Sequence, residues 1–471
     1  MQGFYQRLLR LDLGSRSFAI EPLAPEILRR FPGGKGLATW LLYRHNPVGV
    51  DPLSPANLLV FATGPATGSR IWGSCRYGVF SKSPQTGIYS ESYAGGRVPE
   101  AIDACGFDAI IIGGAAAEPL VLRVHPEGVD FLPAADLWGL DTYATEGRLR
   151  ARCADDAPGR RQGAVVIGPA GENLVRFAVI ENDYWRSAGR TGLGAVMGAK
   201  KLKGIFFSGD RRRPLADPEG TAAWSKKLAR ENRDQAGVLA YKKMGTPMMV
   251  KIMNQAGAFP SRYWSRGTDD QWPQISAEAL HRQCDVKPHA CRQCFMACGR
   301  LTTVRHGRHA GLRLEGPEYE TIYAFGGLCG IHSIEEIAWL NDLCDRLGMD
   351  TISAGNLCAF TIEASRRGRA DCRLDYGDVD GIAALLRGMA AREGVGALLA
   401  EGIRAAARQW QLEDLAIHVK GLEPAGYDPR VLKGMGLAYA TSDRGACHLR
   451  TTFYKAELSG MIDPEQTAGK A

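Results

Sequence analysis

Three cysteines lie close together in the second half of the chain. Cys291, Cys294 and Cys298 form a Cys-x2-Cys-x3-Cys triplet. Short loops of this kind let successive thiolates reach different corners of one iron–sulfur cube. A structural zinc site instead needs a second pair of Cys or His ligands, and none follows nearby. Three unrelated buried cysteines are the alternative, but the ligand-like spacing favours a [4Fe-4S] cluster and electron transfer.

Glycine-rich segments with nearby arginines are candidates for phosphate binding. Residues 33–36 and 189–194 are rich in glycine, but neither matches a P-loop or a dinucleotide-binding fingerprint. Arg76 and Arg190 stand beside small residues, where a guanidinium can bind phosphate bidentately while backbone N–H groups approach closely. Arginines in ordinary surface turns are the alternative interpretation.

Carboxylates and one histidine supply candidates for proton chemistry. Asp345 and Asp350 flank Gly348 at a predicted helix end, a pattern also produced by an ordinary C-cap followed by an N-cap. Glu320 belongs to a run of three carboxylates beside a proline, which is more often solvated than catalytic. His448 is a candidate proton carrier, although a lone histidine is more often structural.

The predicted elements that must position these residues divide the chain into a strand-rich region and a mostly helical region. Apolar runs of strand length, each bounded by turn residues, recur at 57–61, 108–112, 120–124, 164–167 and 204–207. The charged stretch 210–214 predicts a linker, and helical periodicity dominates 218–233, 333–347 and 380–409. We therefore predict an α+β fold with a β-rich domain at 1–208, a helical domain at 215–420 that carries the cluster cysteines, and the start of a third, helical domain at 421–471.

Composition limits the classes of function. Among 471 residues, Lys and Arg number 58 against 51 Asp and Glu, a mild excess that argues hardly at all for a nucleic-acid partner. No long apolar run predicts a membrane span. Twelve cysteines without a secretory leader predict a reducing, cytoplasmic compartment in which thiols ligate metals.

Together, these segments resemble the tungsten-containing aldehyde:ferredoxin oxidoreductase family from near the first residue to the last. The resemblance is carried by the cysteine triplet and by residues 31–38, 57–68, 81–87, 186–198, 316–321, 345–350 and 443–450. It implies tungsten or molybdenum held by the dithiolene sulfurs of two pterin cofactors, beside one [4Fe-4S] cluster. In the family no side chain ligates that metal, which argues against Cys447 as a metal ligand. The sequence therefore does not choose between tungsten and molybdenum.

The resemblance also assigns cofactor contacts. The pterin phosphates, bridged by Mg²⁺, are expected to lie against the β-rich domain. The residues implied are Arg76, Tyr93, Gly95, Arg190, Thr191 and Gly192, with Tyr93 and Thr191 acting through backbone carbonyls near the magnesium. Position 93 is an asparagine in the family pattern, a change that preserves a carbonyl contact but not a side-chain contact. Asp345, Gly348 and Asp350 match a pterin-binding turn in which Met349 replaces leucine.

Glu320 and His448 match the carboxylate and imidazole that the family places beside the metal. Oxidation of an aldehyde to an acid needs water delivered to the carbonyl carbon, removal of a proton and acceptance of two electrons. A glutamate can take the proton, and a histidine can polarise the carbonyl oxygen. The electrons are then expected to leave through the cluster to ferredoxin or to an iron–sulfur partner subunit.

Two alternatives stay open at this point. One is the tungsten subunit of a reductase that acts on an aromatic acyl-CoA, because function depends on the site and not on the fold. The other is a non-catalytic homologue, since the family's fourth cluster cysteine and second pterin-binding turn would fall beyond residue 471. On that ground the chain alone is expected to be catalytically deficient and part of a homo- or hetero-oligomer.

Overall fold

The computed structural model describes residues 1–69, 71–155, 157–292 and 294–461. They group into two compact units. The first unit comprises Met1–Leu239, Ala290–Ala297 and Asp345–Met349, and the second comprises Ala240–His289, Cys298–Cys344 and the chain from Asp350 onward. Residues 462–471, the end of the predicted third domain, lie outside the described residues. The division at residue 420 stays a prediction.

The first unit is built mainly of strands, as predicted for the N-terminal region. Its strands are β1 (Arg7–Asp12), β2 (Ser17–Pro22), β3 (Leu59–Thr63), β4 (Tyr77–Lys82), β5 (Tyr89–Ala94), β6 (Ala109–Gly113), β7 (Leu120–His125), β8 (Gly128–Pro133), β9 (Arg161–Val166), β10 (Ile180–Asn182), β11 (Arg186–Ala188) and β12 (Leu202–Gly209). Its helices are α1 (Pro25–Arg30), α2 (Gly34–His45), α3 (Val98–Ala104), α4 (Thr142–Cys153), α5 (Pro169–Glu172), α6 (Leu193–Ala199) and α7 (Pro218–Asn232).

These strands form two six-stranded mixed sheets. The first has the order β2-β1-β6-β3-β4-β5, and the second has the order β11-β10-β9-β12-β7-β8. Only the β1–β6 and β7–β12 pairs are parallel among the strands described. Antiparallel neighbours need only short connections, which suits the frequent glycine turns of this region.

The burial of β6 explains its unbroken apolar sequence. Ile110 and Ile112 belong to the apolar core shared with the second sheet, while Ile111 belongs to the core beneath α2. A strand buried on both faces has no solvent-facing side to carry alternating polar residues. Phe61 and Phe207, from different sheets, place their ring centroids 6.3 Å apart in the shared core.

The prediction of an exposed linker at 210–214 does not hold for Arg213, which is buried. Its guanidinium is buried, with Nε 2.9 Å from one Asp103 oxygen and Nη1 2.6 Å from Asp108. Runs of charged residues are usually solvated, but Arg213 completes a buried ion-pair network of the first unit, as a buried charge requires.

The second unit is mostly helical. The elements from residue 236 onward are α8 (Ala236–Met244), α9 (Met249–Gln255), α10 (Ala277–Gln283), β13 (Cys284–His289), β14 (Gly299–Val304), β15 (Arg313–Glu315), α11 (Tyr319–Thr321), a π-helix (Ile322–Leu328), α12 (Ile334–Leu347), α13 (Thr351–Arg366), α14 (Val379–Ala391), α15 (Val395–Leu399), α16 (Ile403–Trp410), α17 (Lys433–Thr441) and α18 (Phe453–Leu458). The fold class is thus α+β, with the β-rich part first.

Two details of this region differ from the prediction. The helical stretch 380–409 divides into α14, α15 and α16, because Arg392, Gly394 and Gly402 adopt positive φ values of 57°, 52° and 86°. A small antiparallel sheet of β13, β14 and β15 also lies within the helical region. Among the described residues, no helix is long and apolar enough to cross a membrane.

Candidate active site

Arg76, Gly95 and Cys291 meet in the first unit. A Cβ atom on Gly95 would lie 2.4 Å from an Arg76 guanidinium nitrogen and 2.7 Å from the Cys291 sulfur. A larger residue at position 95 would therefore force the Arg76 guanidinium or the Cys291 sulfur to move. The structure therefore brings one predicted cluster cysteine together with two predicted cofactor residues.

The Cys291 sulfur accepts hydrogen bonds from groups that stabilise negative charge. The backbone N–H of Gly96 donates to it at 3.3 Å and Arg186 Nη1 donates at 3.0 Å. Its loop is fixed to the same unit by an ion pair of 2.7 Å between Arg292 and Glu100. N–H donors and a cation around a sulfur are the contacts that cluster-bound sulfurs make in proteins.

The other two cysteines of the triplet are also accessible. Cys294 and Cys298 are half-buried, and the backbone N–H of Cys294 donates to the Cys291 carbonyl at 3.1 Å. Within the described ranges, no three His, Cys, Asp or Glu side chains already converge as a metal-ion site. The ligand role of the triplet stays a prediction. By contrast, burial raises the pKa of the Cys284 thiol to about 12, as expected of a structural cysteine.

A second cradle surrounds Arg190 and Thr191. Arg190 is buried, and its backbone N–H donates to the Ser92 hydroxyl at 3.3 Å. The Thr191 carbonyl accepts a hydrogen bond of 2.7 Å from Ser83, and Thr191 adopts a φ of +76°. Gly192 follows at +80°, where a Cβ would lie 1.9 Å from the Arg176 carbonyl oxygen. Position 192, at the start of α6, therefore has to be glycine.

Tyr93 lies on β5 with its side chain directed to a buried carboxylate. Its hydroxyl donates to Glu91 at 2.7 Å, and Lys35 pairs with the same glutamate at 3.0 Å. The family's asparagine side chain has no counterpart in this arrangement. The backbone carbonyl of Tyr93 remains the group that the resemblance assigns.

The Asp345–Asp350 turn has the capping geometry expected from its sequence. Gly348, just past the end of α12, has a φ of +78°. In the first unit, the Asp345 carbonyl accepts from the Thr142 hydroxyl at 2.8 Å and the Gly348 carbonyl accepts from the Val179 N–H at 2.9 Å. In the second unit, the Asp350 carboxylate caps α13.

Glu320 and His448 approach each other in the second unit. Glu320 Oε1 lies 3.9 Å from His448 Nε2, and their side chains are only 17% and 15% exposed. That distance is longer than a hydrogen bond. The other Glu320 oxygen accepts from the Gly426 N–H at 2.9 Å. The proline-flanked carboxylate is thus largely buried, not solvated, and the π-helix that follows it is a feature frequent at functional sites.

Aromatic side chains hold this pair. The Tyr427 ring stacks on His448 with centroids 6.1 Å apart and on Tyr454 with centroids 4.5 Å apart. The Tyr319 hydroxyl donates to the Gly426 carbonyl. Burial raises the pKa of Tyr427 well above its ordinary value, and the nearby Glu320 carboxylate raises it further. The Tyr427 hydroxyl beside this pair therefore stays protonated at neutral pH.

Cys447 has a structural partner beside His448. Arg444 Nε lies 3.1 Å from its sulfur, and the Leu449 N–H donates to the same sulfur at 3.4 Å. Although burial opposes ionisation, Arg444 and these donors lower the pKa of Cys447 below its ordinary value. The expectation that Cys447 is not a metal ligand stays a prediction.

Sequence analysis missed three residues of these sites. Arg186 and Gly96 contact the Cys291 sulfur, but only their presence in glycine- and arginine-containing segments hinted at them. Glu181 is fully buried on β10. Burial raises its pKa well above the ordinary value, and the charges of Asp345 and Glu146 add to that shift. A single glutamate at the end of an apolar run gave no signal.

A β-rich unit with a thiol–arginine cradle, followed by helical segments with a buried acid–base pair, defines a class of protein suited to redox chemistry. Comparison with known proteins specifies it. The profile of the aldehyde ferredoxin oxidoreductase N-terminal domain matches residues 8–209, and that of its domains 2 and 3 matches residues 221–471. The chain belongs to the aldehyde ferredoxin oxidoreductase family, whose members are oxidoreductases.

Individual relatives agree. A tungsten-containing aldehyde ferredoxin oxidoreductase of Pyrococcus furiosus is 34% identical over 479 residues, covering 99% of this chain and 78% of the relative. From the same organism, the WOR-like subunit of an aliphatic sulfonate oxidoreductase is 30% identical, covering 97% of this chain and 77% of its own length. A solved structure, the active site complex BamBC of benzoyl coenzyme A reductase with 1,5-dienoyl-CoA, matches with a TM-score of 0.78. That match is 26% identical and covers 90% of this chain and 66% of the matched one.

Proposed function

We propose that this chain oxidises aldehydes to carboxylic acids with a tungsten or molybdenum bis-pterin cofactor. The observation that carries the proposal is the buried Glu320–His448 pair, whose facing atoms lie 3.9 Å apart. Its support from similarity is the tungsten-containing aldehyde ferredoxin oxidoreductase that aligns with 99% of the chain.

The reaction converts an aldehyde and one water into a carboxylic acid, two protons and two electrons. Glu320 takes a proton from the water as the new C–O bond forms at the carbonyl carbon. The former aldehyde C–H bond then breaks, and it supplies the second proton and the two electrons. His448 Nε2 donates a hydrogen bond to the carbonyl oxygen, where negative charge develops. The Gly426 N–H holds the other Glu320 oxygen and so fixes the direction of the carboxylate.

The residues of the first unit fit an anionic cofactor. The Gly95 and Gly192 cradles, which a Cβ would fill, let backbone and guanidinium groups approach phosphate closely. Arg76 and Arg190 would hold the pterin phosphates, and a magnesium ion would be shared by the Tyr93 and Thr191 carbonyls. Asp345, Gly348 and Asp350 would bind a pterin through their turn. When bound, the metal centre would accept the two electrons.

The electrons are proposed to leave through a [4Fe-4S] cluster on Cys291, Cys294 and Cys298. The hydrogen-bonded sulfur of Cys291 supports this role. Ferredoxin or an iron–sulfur partner subunit would accept the electrons, in a reducing, cytoplasmic compartment and in a homo- or hetero-oligomer. A relative that is named as a subunit, and a structural neighbour that was solved as a complex, support the partner-subunit form.

A second candidate function is the tungsten subunit of a reductase for aromatic acyl-CoA. It is favoured by the structural likeness to the benzoyl coenzyme A reductase complex. The two functions differ in the direction of electron flow at the same kind of centre.

Metal content and electron direction test these proposals together. We expect the protein, purified together with any partner chain that it retains, to contain near-stoichiometric tungsten or molybdenum together with iron, measured by plasma mass spectrometry, and to reduce benzyl viologen in the presence of an aldehyde. Reduction of benzoyl-CoA by a low-potential donor, without aldehyde oxidation, would establish the second function. If the protein held no metal after expression in a host that makes the cofactor, the interpretation as a non-catalytic homologue would be favoured.

A further inference from the structure

A basic cavity lies in the first unit, beside α7 and apart from every residue assigned above to cofactor or catalysis. Its volume is about 650 Å³. Its walls come from the loop after β3, from the start of β9, and from the chain between β12 and α7. The polar lining includes Thr67, Asp103, Arg161, Arg212, Arg213 and Lys226.

Part of the charge in this cavity is already balanced. Arg213 bonds to both Asp103 and Asp108, so these three buried groups carry one net negative charge. Arg161 faces Asp103: a Cβ atom on Gly68 would lie 2.7 Å from an Asp103 oxygen and 3.4 Å from an Arg161 nitrogen. Arg161 therefore offsets the remaining negative charge.

The positive charges of Arg212 and Lys226 are therefore not balanced by these carboxylates. Among the described residues, no carboxylate forms an ion pair with either of them. Their neighbours in sequence differ: Arg211 lies 4.0 Å from Glu127, and Lys227 lies 3.9 Å from Glu231. Of the four cations that line the cavity, Arg213 is ion-paired and Arg161 faces Asp103, whereas Arg212 and Lys226 form no ion pair with a described carboxylate.

Neutral groups in the wall are largely occupied. The Ser69 hydroxyl donates to the Ala66 carbonyl at 2.5 Å, and the Thr221 hydroxyl donates to the Asp217 carbonyl at 2.6 Å. Asp217 also caps the start of α7 through the Gly220 N–H at 2.8 Å, so the helix dipole contributes little. Attraction for a ligand must come mainly from the cationic side chains.

The remaining wall is apolar. Leu215, Pro218, Ala222 and Ala229 also line the cavity, the last three on the same helix as Lys226. A cavity of this volume accommodates a ligand of metabolite size, and apolar lining beside excess cations suits an organic body that carries several anionic groups. Guanidinium and ammonium groups bind phosphate oxygens through charge-assisted hydrogen bonds.

We propose that this cavity binds an organic polyphosphate, with Arg212 and Lys226 on the phosphates and the apolar wall against the organic part. The site is independent of the proposed redox function, because none of its residues belongs to the cofactor or acid–base groups.

Calorimetric titration of the purified protein at low salt, with inorganic pyrophosphate in one arm and adenosine diphosphate in the other, tests the proposal. We expect saturable binding in both arms, tighter for adenosine diphosphate because of the apolar wall. Arg212→Gln and Lys226→Gln should each weaken binding roughly tenfold, as loss of a charge-assisted hydrogen bond predicts. Both side chains are exposed, so the variants should fold.

Matched controls are available one residue away. Arg211→Gln and Lys227→Gln remove the same charges outside the cavity lining and should change the affinity less than about twofold. If the lining and control variants weakened binding equally, the effect would come from net charge alone, and the proposed site would be refuted. So would the absence of saturable binding up to about 10 mM of either probe.

Discussion

The cradle around Cys291 and the pair Glu320–His448 are built on different principles. The first depends on what is missing: Gly95 has no side chain, and an arginine and a sulfur occupy that space. The second depends on what is present, namely aromatic rings and a backbone N–H that hold a carboxylate and an imidazole.

This difference predicts how substitutions in each region should affect cofactor binding and turnover. The cradle binds charge through several donors on a rigid backbone, so losing one donor should weaken it by degrees. In the proposed reaction, Glu320 supplies one proton acceptor and His448 one hydrogen-bond donor, so losing either group should remove a step. Only substitution of the proposed cluster cysteines should give an all-or-none response.

The largest effect is expected at the cluster ligands. Cys294→Ser should abolish or convert the electron paramagnetic resonance signal of a four-iron cluster, because a hydroxyl replaces a thiolate at a ligand position. Cys372→Ser is the control, since Cys372 is half-buried and outside the triplet. If both variants lost the signal equally, folding rather than ligation would be at issue.

Next in size is the loss of the proton acceptor. Glu320→Gln should lower turnover by about 10²–10⁴-fold, as removal of a general base does, while metal and iron content stay unchanged. Glu318→Gln is the control, because Glu318 accepts a hydrogen bond from Thr246 and an amide oxygen can still accept it. A Glu320→Gln enzyme that turns over normally would exclude Glu320 as the base.

Much of the fold could be predicted from the sequence, because the first unit is marked by apolar runs and glycine turns. The run at 108–112 predicted β6 almost to the residue, since a strand buried on both faces leaves an unbroken apolar segment. The break of 380–409 into three helices was missed, because Arg392 adopts a left-handed conformation that its residue type does not announce.

The candidate site was predictable to a similar, partial degree. The cysteine spacing pointed to the Cys291 loop directly, whereas the Glu320–His448 approach joins segments 128 residues apart and emerged only from resemblance to a family. Arg186 could not be found, because a single arginine donor to sulfur leaves no periodic or spacing signal. Local patterns reveal ligand loops, while long-range pairs need the folded chain.

A weaker effect is expected where one phosphate donor of the cradle is removed. Arg76→Ala should reduce cofactor binding by roughly 1.5–3 kcal/mol, the usual value of a hydrogen bond to a charged group. The measurement is tungsten or molybdenum per chain after gel filtration. Arg148→Ala, at an exposed position of α4, serves as the control. Full metal loading of Arg76→Ala would count against a phosphate contact.

The smallest effect should come from the donor to the Cys291 sulfur. Arg186 Nη1 lies 3.0 Å from that sulfur, and its positive charge favours the more negative, reduced state of a cluster bound there. Arg186→Gln should therefore shift the midpoint potential of the cluster to a lower value without removing iron, which a redox titration followed by electron paramagnetic resonance can measure. Because the Gly96 N–H still donates to the sulfur at 3.3 Å, the cluster should persist. An unchanged potential would mean that Arg186 does not act on the sulfur in the loaded protein. Loss of all iron would show that the cradle, like the acid–base pair, depends on a single group.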